Sequence, residues 1–161
     1  MTVTIVPVDY RNAEQTHDLM SLLNNYASDA MGGGQSLPAE TLAALPEKLA
    51  AVPGAFSLMV LVDGQPAGFA NCFMGFSTFK AKPLVNIHDL AVNPDFRGQG
   101  LSLKLLEAIE AKARERHCCK ITLEVLSGNE VAKGAYIKAG FDGYELDPKT
   151  GQALFWEKPL R

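Results

Sequence analysis

Arg97-Gly98-Gln99-Gly100, followed at once by the apolar-striped run from Leu101 to Arg116, is the pattern in this 161-residue chain whose residue types and spacing most directly suggest chemistry. The two glycines let backbone amides turn inward with no Cβ in the way. A helix beginning at Leu101 adds unpaired N–H groups and the positive end of its dipole. The chemistry is anion binding, and a phosphate or pyrophosphate suits it. A plain strand-turn-helix corner, with glycines that only satisfy turn geometry, has the same spacing. Two nucleotide loops are excluded: Leu103 stands where a dinucleotide fingerprint needs its third glycine, and no Gly-Lys-Ser/Thr follows as in a Walker loop.

The loop has to be positioned by a strand before it and a helix after it. Leu101, Leu105, Ile109 and Ala113 recur at spacing four, joined by Leu106, so one helix face docks on a sheet. Before the loop, Leu84 to Val92 reads as a strand ended by Pro94. Strict alternation puts Asn86, His88 and Leu90 on one face and Val85, Ile87, Asp89 and Ala91 on the other. After the helix, Lys120 to Leu126 alternates as another strand, so a right-handed parallel crossover is expected.

Further strands are expected at Thr2 to Val8 and at Phe56 to Val62. The second of these turns through Asp63-Gly64 into a run from Ala67 to Phe76. A closing hairpin of Tyr144 to Leu146 with Ala153 to Lys158 brings the count to about seven strands in a mixed, twisted sheet. Helices are expected after Asp9 or Asn12, with Leu19, Leu22, Leu23 and Tyr26 as a stripe, and from Pro38 through Leu42, Leu45 and Leu49. Gly32-Gly33-Gly34 between them is a connector or a substrate-gating loop. Asn129 caps a helix that Gly140 ends. The class is α/β (α+β), with helices on both faces and residues 1–161 as a single domain, large enough to bury roughly 70% of its unfolded surface.

With 47% hydrophobic and 20% charged residues the composition is that of a globular protein, and no apolar run approaches a membrane span. Met1 to Val8 lacks the charged and long apolar regions of a signal peptide, so a cytoplasmic location is expected. Cys72, Cys118 and Cys119 are expected to be free thiols, and neither a CxxC nor a cysteine-histidine ligand spacing appears, so no metal is expected. A formal net charge of −3 argues against nucleic acid as a partner and makes a cationic substrate easier to steer.

Taken as Arg-x-x-Gly-x-Ser, Arg97 to Ser102 resembles the acyl-CoA loop of the GNAT N-acetyltransferase superfamily, with Ser102 in place of the usual Gly or Ala. Asn129-x-x-Ala132-x-x-x-Tyr136-x-x-x-Gly140-Phe141 resembles a second motif of that superfamily, in the right order. The resemblance implies that acetyl-CoA is the cosubstrate and that its acetyl group passes to an amine. It implies splayed parallel strands around the pantetheine arm, with Leu90, Ala91 and Val92 beside that arm. Arg97, Gly98, Gln99, Gly100, Leu101 and Ser102 would hold the pyrophosphate, and Asn129 would contact the cofactor. Tyr136 is implied as general acid, in the protonated state natural to a phenol at pH 7. Each position also has a structural reading: Leu90 and Val92 as core, Asn129 as a cap, Tyr136 as part of an apolar stripe.

An alkylamine of pKa near 10.4 must lose a proton before it attacks, at a cost of about 4 to 5 kcal/mol at pH 7, so a base or water chain is needed. His88 and Asp89 are the candidates, one on each face of the strand. Gly75 to Lys80 is similar to the corresponding stretch of diamine and polyamine acetyltransferases, which makes Phe76 and Phe79, with Tyr26, candidates for substrate binding. The expected acceptor is a small-molecule amine attacked directly in a ternary complex, with Cys72 the only rival nucleophile. A protein lysine or N-terminus as acceptor, or a non-catalytic acyl-CoA-binding module, are the alternatives. Homodimers are common in the superfamily, and one is expected here.

Overall fold

In a computed structural model the structure describes residues 1–143, 149–151 and 153–160. Five strands form one sheet in chain order: β1 (Val3–Pro7), β2 (Phe56–Val62), β3 (Gln65–Ser77), β4 (Lys82–Val92) and β5 (Ile121–Leu123). The first four pair antiparallel and β4 with β5 pairs parallel, so the sheet is mixed as expected. Among the described residues the strands number five, fewer than the expected seven. Ala153 to Lys158 carries no assigned strand, and Tyr144 to Leu146 lies outside the described residues. The strand expected over Lys120 to Leu126 shortens to three residues. Residues Met1–Leu123 form one compact unit and Glu124–Arg161 a second.

Local chemistry accounts for the elements. Asn12 caps α1 (Ala13–Ser28) by accepting from Gln15 N–H, and Asp63 and Gly64 both take the positive φ (50° and 82°) that a tight hairpin demands. Leu19, Met20, Leu22 and Leu23 of α1 bury against Met59 of β2 and Phe69 of β3, with Leu42 and Leu45 of α2 (Ala39–Ala51) closing over them. α3 (Leu101–Glu115) lies against β2, β3 and β4, its buried face made by Leu101, Leu105, Leu106, Ile109 and Ala113 as the spacing predicts. Just past its end the Arg116 guanidinium sits 4.8 Å over the Phe56 ring. Phe56 pairs with Cys72, in the opposite phase to Met59 and Phe69, so α3 covers the face that α1 does not. Burying each such Leu or Ile contributes about 1.5–3 kcal/mol.

One irregularity in β4 changes which residues meet. Asn71 faces Asp89, but the next β3 residue, Cys72, faces Ile87, so His88 is an extra residue in the ladder. Asn71 and Cys72 are neighbours and point to opposite faces; therefore their partners Asp89 and Ile87 do too. The single-face set of Val85, Ile87, Asp89 and Ala91 is thereby corrected. Asp89 and Ala91 belong with Asn71 and Phe69 on the α1 side, whereas Val85 and Ile87 belong to the α3 side.

In the second unit, Asn129 caps α4 (Glu130–Lys138) by accepting from Ala132 N–H at 3.2 Å. The helix ends in a Schellman arrangement: Gly140 takes φ 94°, its N–H reaches Ile137 O, and Phe141 N–H reaches Tyr136 O. The Tyr136 and Phe141 rings complete it with centroids 5.9 Å apart.

Candidate active site

The loop before α3 is open and glycine-rich. Gly98 (φ 80°) and Gly100 (φ 71°) are both left-handed, a conformation that costs other residues about 1–2 kcal/mol. A Cβ built on either would meet nothing within 4 Å, so open space and not neighbouring protein lies before them. Gly100 is the residue before α3 and offers no side-chain cap, which leaves the first-turn N–H groups of the helix without one. Leu101 is fully buried, so only its backbone can serve a ligand. Arg97 lies 3.8 Å from Asp29, just beyond α1. The side-chain oxygen of Gln99 is buried without a hydrogen-bond partner among the described residues.

Upstream of the cradle, β4 outruns β5. The last pair is Ile87 with Leu123, and β4 then continues through His88, Asp89, Leu90, Ala91 and Val92 beside β3 alone. The bulge falls where that parallel pairing stops. It also overturns the expectation that His88 and Asp89 occupy opposite faces: His88 Nδ1 lies 3.3 Å from Asp89 Oδ1. The His88 side chain is 63% exposed and that of Asp89 only 19%, so the imidazole stands outermost with the carboxylate behind it. Phe73 of β3 meets the imidazole edge-on, centroids 5.7 Å apart.

Tyr26 of α1 packs against Phe69 on the same face. Burial, and then the charges of Asp89 and Asp29, push its phenol up from the ordinary value, so its hydroxyl stays protonated at neutral pH. The Cys72 thiol is pushed up to about 12 by burial and then by Asp89, with Arg116 opposing. It is a thiol and not a thiolate at neutral pH, a poor nucleophile.

Phe76 and Phe79 are not brought to this place. Phe76 faces Pro83, five residues along β3 from Asn71, a distance of about 17 Å, and Phe79 is highly exposed in the turn beyond. Sequence reasoning passed over Ser57 and Asn71, which are buried on the α1 face and hydrogen-bonded toward Asp89. The available signal was a lone polar residue inside an apolar strand, which must find a partner once buried. Asp29, the partner of Arg97, carried no comparable signal.

A sequence model of the Acetyltransferase (GNAT) family matches residues 18–141. The chain is similar to an uncharacterized N-acetyltransferase of Archaeoglobus fulgidus, 42% identical over 57 residues that make up 35% of this chain and 39% of that protein. It is also similar to the thialysine N-epsilon-acetyltransferase of Bos taurus, 29% identical over 73 residues, 45% of this chain and 42% of that one. The chain thus spans about two fifths of the length of the curated relatives it matches. Among solved structures, a probable acetyltransferase superposes with a TM-score of 0.78 at 23% identity, covering 98% of each chain. An aminoglycoside N-acetyltransferase in complex with CoA superposes with a TM-score of 0.76 at 18% identity, over 99% of this chain and 96% of that one. These likenesses carry the fold. With the glycine cradle and the capped helix of Asn129 to Phe141 both inside the matched segment, the chain belongs to the GNAT acetyltransferase family.

Proposed function

We propose that this chain transfers the acetyl group of acetyl-CoA to a primary amine of a small molecule, by direct attack in a ternary complex. The observation that carries the reading is the juxtaposition on β4. An anion cradle with clear space before two left-handed glycines follows five residues that outrun β5, and these begin with an imidazole paired to a carboxylate. In this reading the Gly98 to Ser102 amides and Arg97 hold the pyrophosphate. The backbone of Leu90, Ala91 and Val92 lies along the pantetheine arm, and Asn129 contacts the cofactor.

His88 takes the proton from the attacking ammonium with Asp89 behind it. The neutral amine attacks the thioester carbonyl, the tetrahedral intermediate collapses, and Tyr136 protonates the departing thiolate. One C–N bond forms and one C–S bond breaks; the nitrogen loses its second proton as the intermediate collapses, which restores the Tyr136 phenol, and the proton gained by His88 returns to solvent. The Cys72 thiol, held protonated, favours this direct route over an acyl-cysteine intermediate.

Asp89 and Asp29 both act on Tyr26, and together they favour a cationic acceptor. The thialysine acetyltransferase relative and the aminoglycoside acetyltransferase neighbours support an amine substrate. A cytoplasmic homodimer is the form this reading expects. A panel of diamines, polyamines, amino acids, aminoglycosides and lysine peptides incubated with acetyl-CoA and read by free-thiol release tests it. Turnover with a small amine is the expected result. Turnover only with peptides would move the acceptor to protein, and binding of acetyl-CoA with no thiol release from any amine would make the chain a binding module.

A further inference from the structure

A line of hydrogen bonds crosses the sheet on the α1 side. The Tyr10 hydroxyl and Ser57 Oγ are 2.7 Å apart, Ser57 Oγ donates to Asn71 Oδ1 at 2.6 Å, and Asn71 Nδ2 donates to Asp89 Oδ2 at 3.0 Å. Ser57 has a single hydroxyl proton and gives it to Asn71, so the Tyr10 phenol must be the donor of the first bond. Burial pushes that phenol up from its ordinary value, which keeps it a donor at neutral pH. Every donor therefore points toward Asp89. The Asn71 amide cannot be reversed without setting its carbonyl oxygen against a carboxylate.

Ser57 and Asn71 are 1% and 3% exposed, so breaking either bond strands a polar group away from water, and the arrangement is held in one state. At the far end, Asp89 Oδ1 faces His88 Nδ1. A carboxylate oxygen 3.3 Å from Nδ1 favours the tautomer with its proton on Nδ1, which puts the basic lone pair on Nε2.

We infer that Asn71, held by Ser57 and Tyr10, is a positioning residue for the base: it fixes the Asp89 carboxylate in the orientation that selects the Nδ1–H form of His88. This rests on the reading of His88 as the base. The other titratable groups that feel Asp89 are Tyr26 of α1 and Cys72 of β3. Both are shifted upward, and neither competes for the proton near neutral pH.

The experiment combines an imidazole readout with a double-mutant cycle. Nitrogen chemical shifts of His88, assigned with His88→Gln, report the tautomer in the cofactor-free protein. The wild type is expected to show Nδ1 protonated. Asn71→Asp keeps the shape but sets a second carboxylate beside Asp89, and Ser57→Ala removes the bond that orients Asn71; both are expected to shift His88 toward a mixture.

In turnover, Asn71→Asp is expected to lower kcat about 10- to 100-fold, no more than the lower end of the 10²–10⁴ that a general base contributes, with KM for acetyl-CoA unchanged. In His88→Ala/Asn71→Asp the two losses should not multiply, because one residue acts through the other. An unchanged His88 tautomer in both variants, or losses that multiply, overturns the inference. If Asn71→Asp does not fold, Ser57→Ala carries both readouts, with an expected loss of about 2- to 10-fold. Should no amine be acetylated by the wild type, the proposed function fails, while the tautomer measurement still decides whether Asn71 orients the pair.

Discussion

Replacing Gly100 separates two jobs that one residue performs. At φ 71° with no atom within 4 Å of a built Cβ, Gly100→Val places its Cβ against no protein neighbour, so the left-handed backbone dominates its folding cost. That cost is about 1–2 kcal/mol, more for a β-branched side chain, and lowers Tm by about 2–4 °C per kcal/mol at this chain length. In the proposed function, the open space that makes the substitution tolerable to the fold is the space the pyrophosphate would occupy. Losing one or two charge-assisted hydrogen bonds at about 1.5–3 kcal/mol each predicts a loss of roughly 1.5–6 kcal/mol, or about 10- to 20,000-fold in Kd for CoA.

Calorimetry measures this directly, and thermal unfolding supplies a second assay. CoA at 100 times Kd stabilises the wild type by about 2.7 kcal/mol, and the same concentration should leave Gly100→Val nearly unshifted. Gly100→Asn serves as the control for strain, since Asn tolerates the left-handed region while still placing a side chain in the cradle. It should unfold closer to the wild-type temperature yet bind CoA poorly. A folded Gly100→Val protein that binds CoA as tightly as wild type would refute the cradle.

The acidic limb of the kcat/KM profile should lie between about pH 5 and 8, where imidazoles titrate, with activity lost as pH falls because a protonated ring cannot accept the amine's proton. His88→Ala should remove that limb; if it stays while Asp89→Ala abolishes it, Asp89 is the base. Tyr136→Phe keeps the ring against Phe141 and the helix end, so fold and acetyl-CoA affinity should persist while kcat falls by about 10² to 10⁴; a kcat within twofold of wild type would leave the tyrosine as packing only. Asp29→Asn keeps an acceptor for Met31 N–H but frees Arg97 from an exposed ion pair of about 0.2–1 kcal/mol, so CoA should bind about 1.5- to 5-fold tighter at low salt and no tighter at high salt. Because folding raises the Cys72 thiol from 9.0 to about 12, the stability it contributes is complete below about pH 9 and is lost as pH rises toward 12; Cys72→Ala should flatten the fall of the unfolding midpoint across that window.

Local signals determined a large share of this protein. The stripe of α3, the Asp63-Gly64 turn, the Asn12 and Asn129 caps and the Gly140 terminator each depend on residues a few positions apart, and each formed as read. The turn from Arg97 into α3 was legible for the same reason: two glycines and a helix start are contiguous in the chain. Tertiary structure decided the rest. Alternation assigns faces only while the ladder is regular, and the extra residue at His88 is a choice made jointly by β3 and β4, so nothing in Leu84 to Val92 alone reveals that His88 and Asp89 meet. Ser57, Asn71 and Asp89 come together because three strands align in register, and Asp29 meets Arg97 because the fold brings the residue after α1 beside the loop before α3. A side chain's neighbours along the chain are set by covalent geometry, whereas its neighbours across a sheet are set by register. One residue of slip reverses every face that follows.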